Sequence, residues 1–289
     1  MSYPPGGYPA YGPDPWRQTS WDARAAGNFI CGGAGAGLIV FATIADGNDA
    51  VQAVLTVAGL ALVALGLFSV SLELGRPLRA INVIRNPRTS WMAREAWTAG
   101  LLFPSGIAAA AGIAPLGAVA GLLALVFVYC QARLIQAARG IPAWRERRLV
   151  PLVVTTGLAE GAGLFFAASP WHDAATIGLL ASLGVLIAAR ALAWIAYRRR
   201  LADVAAPAAL AALDRAGRVL QVAGTAVPLV VIVAIGVGIV GDDADEWAAA
   251  LAGLLAAAAG AYAKFTLITA AGFNQGFALA QLPVRGARR

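Results

Sequence analysis

Charged and metal-binding side chains are scarce in this chain of 289 residues, which has one histidine, two cysteines and only 13% charged residues. A bis-histidine haem needs two imidazoles and an iron–sulfur cluster normally needs four thiolates, so the chain is expected to hold no haem, cluster or other metal of its own. Cys31 and Cys130 each fall within an apolar run and read as small packing residues. The charge density of a soluble domain, about a quarter of residues, is also missing. Hydrophobic residues make up 60% of the chain and the mean hydropathy is +0.71. No secretory leader is expected, because residues 1–24 are rich in Pro, Gly and Tyr without an apolar core; they read as a flexible tail. The basic pI near 10.1 does not indicate nucleic acid, since the arginines are spread among short loops with no aromatic-basic module.

What is present is a series of apolar runs of about 20 residues, the length that crosses a bilayer as a helix. Eight are expected: 25–45, 51–73, 94–114, 115–137, 149–168, 174–197, 217–240 and 246–272. Backbone polar groups in hydrocarbon must bond within their own segment, so the fold class is all-α integral membrane. The domain plan is a tail at 1–24, a transmembrane domain at 25–272 and a short basic tail at 273–289. The third and fourth runs are separated only by a tight hairpin at Gly112 to Pro115, and merging them would give seven spans.

Charge favours eight. All basic residues except Arg190 and Lys264 then lie in or beside the termini and the loops 74–93, 138–148 and 198–216, while the opposite loops carry Asp46, Asp49, Asp173, Asp242, Asp243, Asp245 and Glu246. Short cytoplasmic loops collect arginine and lysine. Both termini are therefore expected in the cytoplasm, with the chain in a bacterial or archaeal inner membrane. The arginines exceed what orientation needs, and Arg85, Arg88, Arg145, Arg147 and Arg148 are candidates for docking a soluble partner, with anionic lipid as the alternative.

The run Gly32-Gly33-Ala34-Gly35-Ala36-Gly37 lies inside a span rather than in a βαβ unit, so it reads as close helix packing and not as a nucleotide loop. The same holds for Gly157, Gly161 and Gly163. The hairpin from Glu73 to Glu95 is different. Glu73 and Arg76 share one helical face, as do Trp91, Arg94 and Glu95, and the two helix ends meet at one membrane depth. A quinone site needs a greasy channel, donors for the ring oxygens and a carboxylate that exchanges protons with water. Arg76, Arg79, Arg94 and Trp91 could be the donors and Glu73 and Glu95 the proton carriers. The same residues also fit an interfacial anchor with acids paired to boundary arginines.

Leu74-Gly75-Arg76-Pro77-Leu78-Arg79-Ala80, Ser90-Trp91-Met92-Ala93-Arg94-Glu95, Ala132-Arg133 and Ile141-Pro142-Ala143-Trp144 resemble the membrane-anchor subunits of dimethyl sulfoxide reductase-type molybdoenzymes, relatives of the NrfD and polysulfide reductase anchors. The resemblance implies two four-helix bundles and partnership with an iron–sulfur subunit and a molybdopterin subunit. It also implies electron exchange with ubiquinone or menaquinone, with Arg79 and Glu95 at positions implicated in quinol binding. Glu73 stands where the dimethyl sulfoxide reductase anchors have histidine, so the choice of quinone and the direction of electron flow do not carry over. Trp21-Asp-Ala-Arg-Ala-Ala-Gly-Asn-Phe-Ile30 and Phe273-Asn-Gln-Gly-Phe-Ala278 are similar to anchors of phenylacetyl-CoA:acceptor oxidoreductases, which implies quinone reduction with a cytoplasmic partner.

Glu160, Arg190 and Lys264 lie deeper. Charge within a span faces the bundle interior and a partner or pathway. Glu160 and Lys264 read as an internal pair or a proton path, and Arg190 as snorkelling to the cytoplasmic surface. Were the three to line a path, the chain would be a secondary transporter; a passive scaffold is the other alternative.

Overall fold

Helix boundaries follow local chemistry. The Asp22 carboxylate accepts the Arg24 N–H at 2.7 Å where the first helix opens, and Ser90 Oγ accepts the Ala93 N–H at 3.3 Å at the third. Pro115, Pro142 and Pro207 stand at first helical positions, where the missing N–H costs nothing. The computed structural model describes residues 14–45, 49–72, 84–172 and 175–276. Its helices are α1 (Ala23–Ile44), α2 (Asp49–Ser71), α3 (Trp91–Ala110), α4 (Pro115–Gln136), α5 (Pro142–Arg145), α6 (Leu149–Ala167), α7 (Ile177–Leu201), α8 (Pro207–Gln221), α9 (Val227–Gly236) and α10 (Asp242–Thr269). Among the described residues the only β pairing is a single bridge between Arg17 and Phe273.

Seven helical stretches are long and apolar enough to cross a membrane: those containing α1, α2, α4, α6, α7, α8 with α9, and α10. α3 is not among them; its 20 residues include Arg94, Glu95 and Pro104. It is nonetheless a separate helix, and Gly112, at φ +95°, turns the chain into α4. The expected loop 198–216 is corrected by the structure, because α7 runs on to Leu201 and α8 starts at Pro207. Hydropathy misses these turns because they are polar on one side only. Ala209, Ala212, Leu213, Ala216 and Leu220 form the buried stripe of α8, while Arg198 of α7 and Asp214 clamp the two helices outside at 2.7 Å.

α1 and α6 pack through glycine. Gly157 Cα lies 3.4 Å from the place a Cβ on Gly33 would occupy, and a Cβ on Gly161 would collide with the backbone of Gly37 and Leu38. Gly163 meets the Gly253 carbonyl of α10 in the same way. Small residues let backbones approach, which is what association in lipid requires.

Two ends of the molecule are distinguishable. At one, Trp16 N–H and the Asn274 side chain bond at 3.1 Å, Trp21 stacks on Trp144 at 4.8 Å, and the Trp144 indole donates to Leu267 O at 3.0 Å. Tyr197 Oη donates to Ala143 O at 2.8 Å, bringing the last turns of α7 to α5. Residues 16–22, part of the expected flexible tail, are thus docked. This end gathers residues 16–22 and 271–276, loop 84–90, α5 and the α7–α8 connection, and with them nearly all described arginines. The turn between α3 and α4 lies at the opposite end, beside Thr43 and Gln52. α3 therefore runs the length of the molecule.

Candidate functional site

α3 opens at the basic end, and its first turn gives three side chains three different surroundings. The Trp91 ring carries two guanidinium groups, Arg94 Cζ 4.1 Å and Arg133 Cζ 4.6 Å from its centroid, with Tyr129 edge-on at 5.7 Å. Arg94 also donates to Pro87 O and Arg88 O, each at 2.7 Å, and so ties loop 84–90 to the helix. Glu95 turns inward and is 3% exposed.

The neighbours of Glu95 come from two other helices. The side-chain amides of Asn28 on α1 and Gln131 on α4 lie beside its carboxylate, and Gln131 Nε2 donates to Asn28 O at 3.0 Å. Gly32 makes room for this, since a Cβ there would collide with Gln131 Nε2. Among the described residues Glu95 Oε1 and Asn28 Oδ1 have no hydrogen-bond partner. A carboxyl with an unused oxygen beside a second unused acceptor can receive a donor from a ligand.

A second polar group lies one glycine further on. The place a Cβ on Gly33 would occupy is 3.6 Å from Gln131 Oε1 and 2.6 Å from Lys264 Nζ. Lys264 pairs with Glu160 at 2.5 Å and donates to Phe29 O at 2.6 Å, joining α10, α6 and α1. Gly260 leaves space for the Glu160 carboxyl. Arg190 is fully buried, which corrects the snorkelling expectation. It donates to Ala256 O at 2.7 Å and to Gly224 O in the π-helical turn Val222–Ala226. A π turn breaks the regular ladder, and its exposed carbonyl is what draws the guanidinium inward.

Of the sequence-predicted residues, Glu73, Arg76 and Arg79 lie outside the described residues. Trp91 and Arg94 are brought together, Glu95 is one turn deeper, and Glu160 and Lys264 form an ion pair. Arg85, Arg88, Arg145, Arg147 and Arg148 are exposed. Arg145 donates to Gln275 at 2.8 Å and Arg148 to Ala196 O at 3.2 Å, so both also hold the basic end together. Sequence reasoning passed over Asn28 and Gln131. The signal was available, since a lone amide within an apolar span asks for a partner just as a charge does.

Fold and buried polar groups together define a multi-pass helical membrane protein. The family of DMSO reductase anchor subunits (DmsC) matches residues 22–240, and the chain belongs to that family. The match includes the Glu73 to Glu95 hairpin and stops before residues 273–278, half of the narrower phenylacetyl-CoA resemblance. No curated protein matches the chain.

Proposed function

We propose that this chain is the quinone-reactive membrane anchor of a molybdopterin and iron–sulfur oxidoreductase, and that Glu95 is the proton-exchanging group of its quinone site. The observation that carries the reading is the Glu95 carboxyl, buried in the bundle beside Asn28 and Gln131 with Oε1 left without a partner among the described residues. A quinone gains two electrons and two protons on reduction. Glu95 gives or takes one of those protons beside Asn28 and Gln131, and Glu73 is the second proton carrier. Arg76, Arg79, Trp91 and Arg94 are the proposed donors to the ring oxygens. An unpartnered acceptor suits a ligand hydroxyl, and amide N–H groups suit a carbonyl, so the residues fit both redox forms.

Electrons pass between the membrane quinone pool and a cytoplasmic iron–sulfur subunit docked on the basic end through Arg85, Arg88, Arg145, Arg147 and Arg148, with quinone reduction as the direction, during phenylacetyl-CoA oxidation in the narrower version. α3 is the eighth span, supported by its course from the basic end to the far end. The two four-helix bundles are α1 to α4 and α6 with α7, α8–α9 and α10, supported by the neighbours each helix keeps. The termini are cytoplasmic in a bacterial or archaeal inner membrane. The transporter alternative gains nothing here, because Glu160 and Lys264 pair with each other and Arg190 bonds to backbone carbonyls.

Purification tests this. The intact complex is expected to co-purify quinone with iron and molybdenum, and Arg79→Ala to weaken quinone binding roughly ten- to hundred-fold, the loss of a charge-assisted donor. Iron and molybdenum without quinone indicate a passive scaffold.

A further inference from the structure

At the basic end, between the first turns of α3 and α6 and the last turn of α4, lies a cavity of about 920 Å³. Arg133, Arg139, Arg145 and Arg147 line it, with Trp91, Val150 and Pro151, and no carboxylate is among its described lining residues. Four cations around one open space repel each other, and in a chain with so few charges such clustering calls for an anion. Arg133 is the innermost. Its Nη1 donates to Tyr129 Oη at 3.0 Å, while its Nε, shielded from solvent, has no partner among the described residues.

The helix that carries Arg133 tells which anion. On α4, Leu122 is 63%, Val126 41% and Tyr129 40% exposed, and these positions stack along one helical face that ends at Arg133. In a bilayer this face is a stripe for acyl chains, leading at headgroup depth into the arginines. A soluble acidic protein segment has no use for such a stripe, and four arginines around one space exceed the donors that the two ring oxygens of a neutral quinone can take. Basic pockets between membrane helices on the cytoplasmic side are where anionic headgroups bind.

We propose that this cavity is a binding site for an anionic membrane phospholipid, best matched by the two phosphodiesters of cardiolipin, with Arg133 and Arg139 as the principal phosphate ligands and the Leu122, Val126 and Tyr129 face as the acyl seat. The cavity shares Trp91 with the proposed quinone site, but its readout is lipid binding and not turnover, so failure of one reading is distinguishable from failure of the other.

The test is native mass spectrometry of the full chain in detergent, titrated with cardiolipin, with phosphatidylcholine and with inorganic phosphate. A single tightly held cardiolipin is expected, with little retention of phosphatidylcholine and no competition from millimolar phosphate. Arg133→Gln combined with Arg139→Gln should weaken cardiolipin binding at least about tenfold, since a charge-assisted contact is lost at each position. Arg139→Gln alone, a loop change away from the core, should weaken it severalfold and guards against misfolding of the pair. Undiminished binding in both variants, equal retention of phosphatidylcholine, or saturation by phosphate alone would each overturn the proposal. So would release of the iron–sulfur subunit, rather than lipid, from the intact complex carrying these changes.

Discussion

A lysine and a glutamate that meet at 2.5 Å inside a membrane bundle form a contact that neither residue can leave cheaply. Lys264 is held at three points, by Glu160, by Phe29 O and by the gap at Gly33, so the pair fixes the relative position of α1, α6 and α10. Removing one partner strands a buried charge, and Glu160→Gln is expected to destabilise the chain by about 3–5 kcal/mol. Replacing both, with Glu160→Leu and Lys264→Met, should restore most of that loss, because two apolar groups leave no orphan. Unfolding in detergent micelles measures both. A stable Glu160→Gln chain with slowed turnover would instead show that the pair moves protons.

At the scale of elements, glycine decides where helices touch. A Cβ on Gly161 would meet backbone of α1, which cannot move aside, whereas one on Gly33 would meet a single side-chain atom, Lys264 Nζ, which has to shift within its ion pair. Gly161→Ala is therefore expected to cost more than Gly33→Ala, by about 1–3 kcal/mol, the usual range for overpacking a tight core. Equal melting temperatures for the two variants would contradict this. The glycine runs were legible in the sequence as packing devices because no strand precedes them and their spacing matches a helix face. The α8 helix was not, since residues 207–216 are too polar for a hydropathy window and reveal their buried stripe only through periodicity. Glu95 and the Glu160–Lys264 pair stood out because a carboxylate in an apolar run is conspicuous. Asn28 and Gln131 did not, because an amide carries no charge to draw the eye and its role exists only where three helices converge.

For the whole molecule, the decisive property is that arginine gathers at one end. Loop 84–90, α5, the α7–α8 connection and residues 16–22 and 271–276 share that end, and the turn between α3 and α4 lies opposite. Cysteine labelling is expected to find residues near Arg147 and Gln275 on the cytoplasmic side, and Gly112 and Trp171 outside. Labels on opposite sides for Arg147 and Gln275 would break the single basic end and the eight-span reading with it. Reversal of Arg85, Arg88 and Arg147 to Glu should release the soluble subunits without unfolding the anchor, and retention at full occupancy would leave that surface to lipid.

The central claim is that the buried carboxyl of α3 exchanges protons with quinone, and Glu95→Gln tests it most directly. Glutamine keeps the shape and one acceptor oxygen beside Asn28 and Gln131 and removes the titratable proton. Quinone-linked turnover of the purified complex should fall by about 10²–10⁴-fold, the usual contribution of a positioned acid or base, while assembly and activity with an artificial soluble acceptor stay intact. Unchanged quinone kinetics in Glu95→Gln would contradict the account.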